Sequence, residues 1–172
     1  MQLSGIIYSF PKELKLFIAA FLVVLSIGFY TGLLFVGETS GAEPTGIEEQ
    51  YLGNEADIDP EVMKFKKGQY EMLSIIHTHI LSMSFIFFLL GAILLTTKIN
   101  NNLKLFLLIE PFASVILTFG GIYFLWTGFL WMKYIVMISG ILMTASFTAS
   151  VVIIMYQLAR NPTAIGDTNK ST

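Results

Sequence analysis

The sequence predicts an all-α membrane protein: an antiparallel four-helix transmembrane bundle, both termini cytoplasmic (N-in/C-in), with an acidic outer loop between helices 1 and 2. Three observations carry this expectation. Of 172 residues, 55% are hydrophobic and only 13% charged, against roughly 25% charged in an ordinary soluble domain. Four apolar segments, 16–36, 72–97, 105–130 and 134–158, contain no lysine or arginine, and each reaches the roughly 20 residues needed to cross a bilayer core. The charges also sort by side. Lys12, Lys15, Lys98, Lys104, Arg160 and Lys170 flank the spans at one set of ends, which the positive-inside rule makes cytoplasmic. Nine of the twelve acids lie in residues 37–71 against Lys64, Lys66 and Lys67. That excess of negative charge opposes nucleic-acid binding, so no nucleic-acid partner is expected.

Span 1, residues 16–36, follows two lysines and precedes "TSGAEP". It is longer than the 7–15 apolar residues of a signal peptide, so a retained anchor is expected. The outer loop, 37–71, begins irregularly. It then offers a short helix in "IEEQYL", with Ile47, Tyr51 and Leu52 on one side, and a second in "PEVMKF". Spans 2 and 3, residues 72–97 and 105–130, are joined through Lys98 and Lys104. Trp131, Met132 and Lys133 turn the chain into span 4, residues 134–158, and the polar tail 159–172 ends it. Tyr123, Trp126, Trp131 and Tyr134 cluster where an outer aromatic belt would lie. The whole chain, 1–172, is one transmembrane domain. It has no cysteine, which excludes disulfides and thiolate chemistry.

Helices associate in lipid through small residues. Such stripes are Gly28 and Gly32 in span 1, Ser74, His77, Ser84 and Gly91 in span 2, Ser114, Gly121 and Gly128 in span 3, and Gly140, Thr144 and Thr148 in span 4. Each is expected to meet a neighbouring helix.

The only two histidines, His77 and His79, stand two residues apart in "HTHILSMSFIFFLLG". Two helical residues advance about 200°, so the imidazoles point to nearly opposite sides and do not chelate one metal. His77, on the small stripe, is expected to face the bundle; His79 faces another helix, a partner subunit, lipid headgroups or a cofactor at the rim. Any metal would therefore use them at separate sites. Tyr30, Tyr123, Trp126 and Met137 are expected at a similar depth, giving one layer rich in imidazole, phenol, indole and thioether groups. That layer suits haem with a histidine ligand and a methionine such as Met137 or Met143 opposite, a quinone, or copper. The sequence requires none of these, and hydrogen-bonded histidines near the interface are the plainer account.

Glu110 precedes Pro111 near the start of span 3. An acid and a proline there suit a helix N-terminus, so a capping role is preferred over a proton or cation site. In the loop, Asp57, Asp59 and Glu61 share spacing with part of a calcium loop, but the required glycine and distal glutamate are missing. Glu48, Glu49, Tyr51, Glu55, Asp57, Asp59 and Glu61 instead read as an acidic docking surface for a basic partner, a soluble cytochrome included.

The segments "GIEEQYLGNE", "MKFKKGQYEML" and "HTHILSMSFIFFLLG" resemble a family of small uncharacterised four-span bacterial inner-membrane proteins, over residues 46–91. The resemblance implies location in the bacterial cytoplasmic (inner) membrane and a multi-pass topology, with 37–71 periplasmic; it transfers no activity. The expected function is a non-catalytic accessory or assembly subunit of an inner-membrane complex, presenting the acidic loop to a membrane or periplasmic protein. The chain is not expected to be an enzyme by itself; it touches the lipid bilayer and can form a homo- or hetero-oligomer. The alternative is a redox subunit that binds haem, quinone or copper around His77 and His79.

Overall fold

The computed structural model of the protein describes residues 3–41, 43–55 and 62–160. Among them the regular elements are all helical: a 3-10 turn η1 (Ile6–Ser9), then α1 (Lys12–Ser40), α2 (Pro44–Leu52), α3 (Gln69–Leu94), α4 (Asn101–Trp126) and α5 (Met132–Ala159). Four of these, α1, α3, α4 and α5, are long and apolar enough to cross a membrane. The protein is a multi-pass membrane protein in contact with the lipid bilayer.

Local chemistry sets the helix ends. Pro44 occupies the first turn of α2, where its missing N–H costs nothing and its fixed φ favours the helix. The Asn100 side chain accepts from the Asn102 N–H at 2.8 Å and starts α4, supplying a partner that the helix itself cannot. That cap puts the helix start four residues before the apolar run at 105. Gly128, at φ 112, turns the chain between α4 and α5; a side chain there would be strained. The short helix expected from "PEVMKF" does not form: residues 62–68 are non-helical, and Pro60 and Glu61 lie outside the described residues.

Packing centres on α4 and α5, the most extensively joined pair; α3 lies against both, and α1 lies mainly against α5 and α2. Phe147 of α5 is fully buried and keys three helices together. It stacks on Phe29 of α1 at 3.9 Å between ring centroids and meets Phe87 of α3 edge-on at 6.4 Å. Such aromatic pairs stabilise by roughly 0.5–1.5 kcal/mol beyond the area they bury.

Only some small-residue stripes serve as seams. Gly121 does, since a Cβ there would lie 2.9 Å from Val136 Cγ2 of α5, and Gly91 likewise approaches Leu108 Cδ2 to 3.1 Å. Gly28 and Gly32 do not. They are exposed, and a Cβ at either would meet nothing within 4 Å. The face α1 buries is the row Ile18, Leu22 and Phe29, in which large side chains fill the contact.

One end of the bundle is closed by η1. The N–H groups of Gly5 and Ile7 donate to the Thr96 carbonyl at 3.0 and 3.2 Å. Lys104 tucks back to donate to the carbonyls of Thr97 and Leu95 at 2.6 and 3.3 Å. Gln157 of α5 clasps the backbone of Lys98, accepting from its N–H at 2.8 Å and donating to its carbonyl at 3.1 Å.

The other end is covered by α2 and the strand-like stretch that follows. Asn54 N–H donates to Lys64 C=O at 3.0 Å, and Lys67 N–H to Tyr51 C=O at 3.2 Å. The Asn54 side chain adds two bonds, to Val62 C=O and from Lys64 N–H. Burial holds the Tyr51 phenol above its ordinary value of 10.0. A pKa raised on folding stabilises the fold fully below the unfolded value, and that contribution is lost as pH rises through the folded one. α2 is therefore expected to loosen in strongly alkaline solution, and Tyr51→Phe to move that loosening to higher pH. Amide exchange of α2 against pH checks this; the same midpoint in both chains would refute it.

Candidate functional site

The histidine pair sits in the half of α3 nearest α2. The core face of α3 is built from Met72, Phe87, Leu90 and Leu94, with Ile76, Ile80 and Met83 packed against the core. This large-residue ridge borders Ser84 and Gly91, which are half-buried, and leaves Ser74 and His77 outside it. His77 is consequently exposed, contrary to the inward placement expected for it. It shares the outward face with Tyr70, Ser74 and Thr78, all exposed.

His79 lies at the edge of the α3–α4 contact, its ring 4.9 Å from that of Phe119. Its Nδ1 is 2.8 Å from the Ile75 carbonyl. A carbonyl only accepts, so Nδ1 carries the proton and Nε2 is the nitrogen left for another partner. The two imidazoles thus face different surroundings, as the 200° argument requires.

The expected layer of ring and thioether groups does not gather around them. Tyr30 of α1 shares a hydrogen bond with Thr148 of α5 at 2.8 Å and packs edge-on beside Phe147. Phe147 in turn meets Phe87, eight residues beyond His79 on α3, or about 12 Å along the helix. Tyr123 and Trp126 neighbour each other, 5.9 Å between rings. Trp126 is committed to the α2 end: its Nε1–H donates to Lys67 C=O at 2.8 Å, and Lys66 Nζ stands 5.4 Å from its ring. Met137 is half-buried on α5. Among the described residues no group of three or more His, Asp or Glu is arranged to hold a metal.

The loop acids are partly consumed within the chain. Glu48 accepts from Lys133 Nζ at 2.5 Å, Glu49 lies 4.0 Å from Lys64 Nζ, and Tyr51 is half-buried. Lys64 also donates to Thr39 C=O at 2.9 Å. These groups fasten α2 to the bundle; Glu55 is exposed. Asp57, Asp59 and Glu61 lie outside the described residues.

Glu110 is the chief polar feature that sequence reasoning misplaced. With α4 beginning at Asn101, Glu110 is the tenth residue of the helix, about 14 Å from its start. That is beyond the first turn, so it caps nothing. One carboxyl oxygen accepts from Ser114 Oγ of α4 and the other from Ser146 Oγ of α5. One turn further along α4, Thr118 Oγ1 meets Ser139 Oγ at 2.7 Å. The signal available in the sequence was the series Glu110, Ser114, Thr118 at four-residue spacing, which places a carboxyl and two hydroxyls on one helix face.

A family model described as a transmembrane helical domain matches residues 41–165, the stretch from the end of α1 through α5. No curated protein and no solved structure matches the chain.

Proposed function

Because the chain belongs to the family of that transmembrane helical domain, we propose that it works inside the bilayer as a non-catalytic accessory or assembly subunit of a larger membrane complex. The observation that carries this reading is the exposed polar face of α3, where Ser74, His77 and Thr78 stand on the outward side of a membrane-spanning helix. Ionisable side chains in such helices almost always face protein or water, because contact with lipid costs them several kcal/mol. A second protein against this face satisfies the imidazole and the two hydroxyls. In this reading the helices form an antiparallel bundle in a bacterial inner membrane with both termini cytoplasmic, following the lysine and arginine bias. The α2 end and its acids are periplasmic. The net negative charge of residues 37–71, to which Asp57, Asp59 and Glu61 contribute in sequence, then attracts a basic periplasmic protein.

The test is a photo-crosslinking amino acid at position 77 in native membranes, compared with one at Val24, an exposed position on α1. Capture of a discrete membrane protein from 77 and not from 24 is the expected result. Crosslinks to lipid alone from both positions would sink the reading.

A second reading rests on the His79 geometry. An imidazole that donates through Nδ1 to a backbone carbonyl offers Nε2 as a ligand for haem iron or copper, or as a partner for a quinone hydroxyl. This would make the subunit a redox component, its remaining ligand supplied by the partner. Oxidised and reduced spectra with metal analysis of the mildly purified complex separate the two: a haem band or stoichiometric copper lost in His79→Ala favours the redox reading.

A further inference from the structure

We propose that Glu110 is an intramembrane proton-binding site, built into the α4–α5 seam by Ser114 and Ser146. Glu110 is the one acid away from the ends of the four membrane-spanning helices; Glu13, Glu38 and Glu71 stand within the first or last turn of theirs. Its carboxyl does not stretch toward a water interface. Each oxygen is bound by a hydroxyl, one from its own helix and one from the facing helix. Ser114 and Ser146 are almost fully buried, whereas Glu110 is only half-buried. The carboxyl is thus fixed on its protein side and open on the other.

The partners are of the kind a proton site needs. A serine hydroxyl donates one hydrogen bond or accepts others as required. Two donating hydroxyls satisfy the ionised carboxylate. If one of them turns to accept, the same pair satisfies the protonated acid. The turned hydroxyl then directs its own proton to another acceptor, an adaptability that a fixed amide or an arginine would not have. Pro111 follows directly and is buried; lacking an N–H, it withholds the usual donor from the Leu107 carbonyl and so adds an acceptor to the same turn. Hard divalent cations take six or more oxygens, and the two carboxyl oxygens and two hydroxyls here fall short of that.

The surroundings do not neutralise the carboxyl by pairing. On α4 the nearest cation is Lys104, whose ammonium is spent on the carbonyls of Leu95 and Thr97. α3 has no ionisable residue from Ile80 to Leu94, and α5 has no acid, lysine, arginine or histidine after Lys133. His79 stands against Phe119, nine residues further along α4. Glu48 and Glu49 of α2 cover the far end of the bundle. Toward that end, the Thr118–Ser139 pair lies one turn beyond Ser114. In the other direction, the buried Ser150 lies one turn beyond Ser146. Both lie where a relay of hydroxyls would continue the seam.

Dicyclohexylcarbodiimide, an apolar reagent that attacks protonated carboxyls, tests this on the full chain in detergent. The acid proton moves to one carbodiimide nitrogen as a carboxyl oxygen bonds the central carbon. The acyl group then migrates from oxygen to nitrogen, and the peptide gains the mass of one whole reagent molecule. The expected result is labelling at Glu110 that falls about tenfold per pH unit on the alkaline side, is unaffected by sodium, and is absent in Glu110→Gln. Ser146→Ala is expected to shift the pH at which labelling is half-developed. No label at Glu110 in the folded chain at any pH would overturn the proposal, as would labelling indifferent to pH. Protection by sodium would also overturn it and make the site one for a cation.

Discussion

Replacing Gly46 by alanine is expected to unseat α2 from the bundle and to destabilise the chain by about 2–3 kcal/mol, although alanine is the better helix former by roughly 1 kcal/mol. The reason is contact, not propensity. A Cβ at position 46 would lie 1.8 Å from the Ser40 carbonyl oxygen and 2.9 Å from its carbon, and both are backbone atoms that cannot rotate away. α2 would have to lift from the end of α1. It would take with it the Lys133–Glu48 pair, the Lys67 N–H bond to Tyr51, and the packing of Ile47 and Tyr51 on the core. Hydrogen exchange resolved to residues 44–52 checks this, with unchanged protection in α4 as the control. Gly28→Ala and Gly32→Ala, where the added methyl meets open space, are expected to leave stability unchanged or raise it slightly.

The second large effect is expected at the opposite end. Lys104→Met should cost about 2–3 kcal/mol, since it leaves two carbonyls of the turn after α3 without their charged donor. Lys104 is almost fully buried, and its ammonium closes the turn that follows α3 through Thr97 C=O and Leu95 C=O. Terminal carbonyls of a helix have no partner of their own, and methionine matches the length of lysine without supplying a proton. η1 should loosen too, because its N–H groups dock on Thr96 in the same turn. Lys98→Met is the control: it removes the same charge six residues away, from a residue that is exposed. Thermal unfolding in detergent compares the two; equal midpoints would refute the capping role.

The four spans were legible because long apolar runs admit no other fold in a chain this size, and the 200° separation of His77 and His79 followed from helix geometry alone. Two features were not legible, for distinct reasons. The start of α4 was hidden because Asn100, Asn102 and Lys104 look like loop residues; only their hydrogen bonds show that they belong to a helix. That four-residue displacement turned Glu110 from a plausible cap into an interior carboxyl. The small-residue stripes of α1 and α3 misled for another reason. Small residues permit close approach but do not say which helix approaches. α1 buries Ile18, Leu22 and Phe29 instead of Gly28 and Gly32, and α3 buries Met72, Phe87, Leu90 and Leu94 instead of Ser74 and His77. Where two stripes compete, the one with larger side chains excludes more void against a neighbour, and Gly28, Gly32, Ser74 and His77 are left facing outward.

The arrangement of α1 bears on how the molecule is made. Its principal membrane-embedded neighbour is α5, reached through Phe29 on Phe147 and Tyr30 on Thr148 across a separation of 118 residues. A ribosome delivers α1 to the bilayer before α5. Through all of that synthesis the aromatic face of α1 has lipid against it. α1 therefore waits for α5 while α3 and α4 are made, and a chain halted before α5 holds an anchor without its lock.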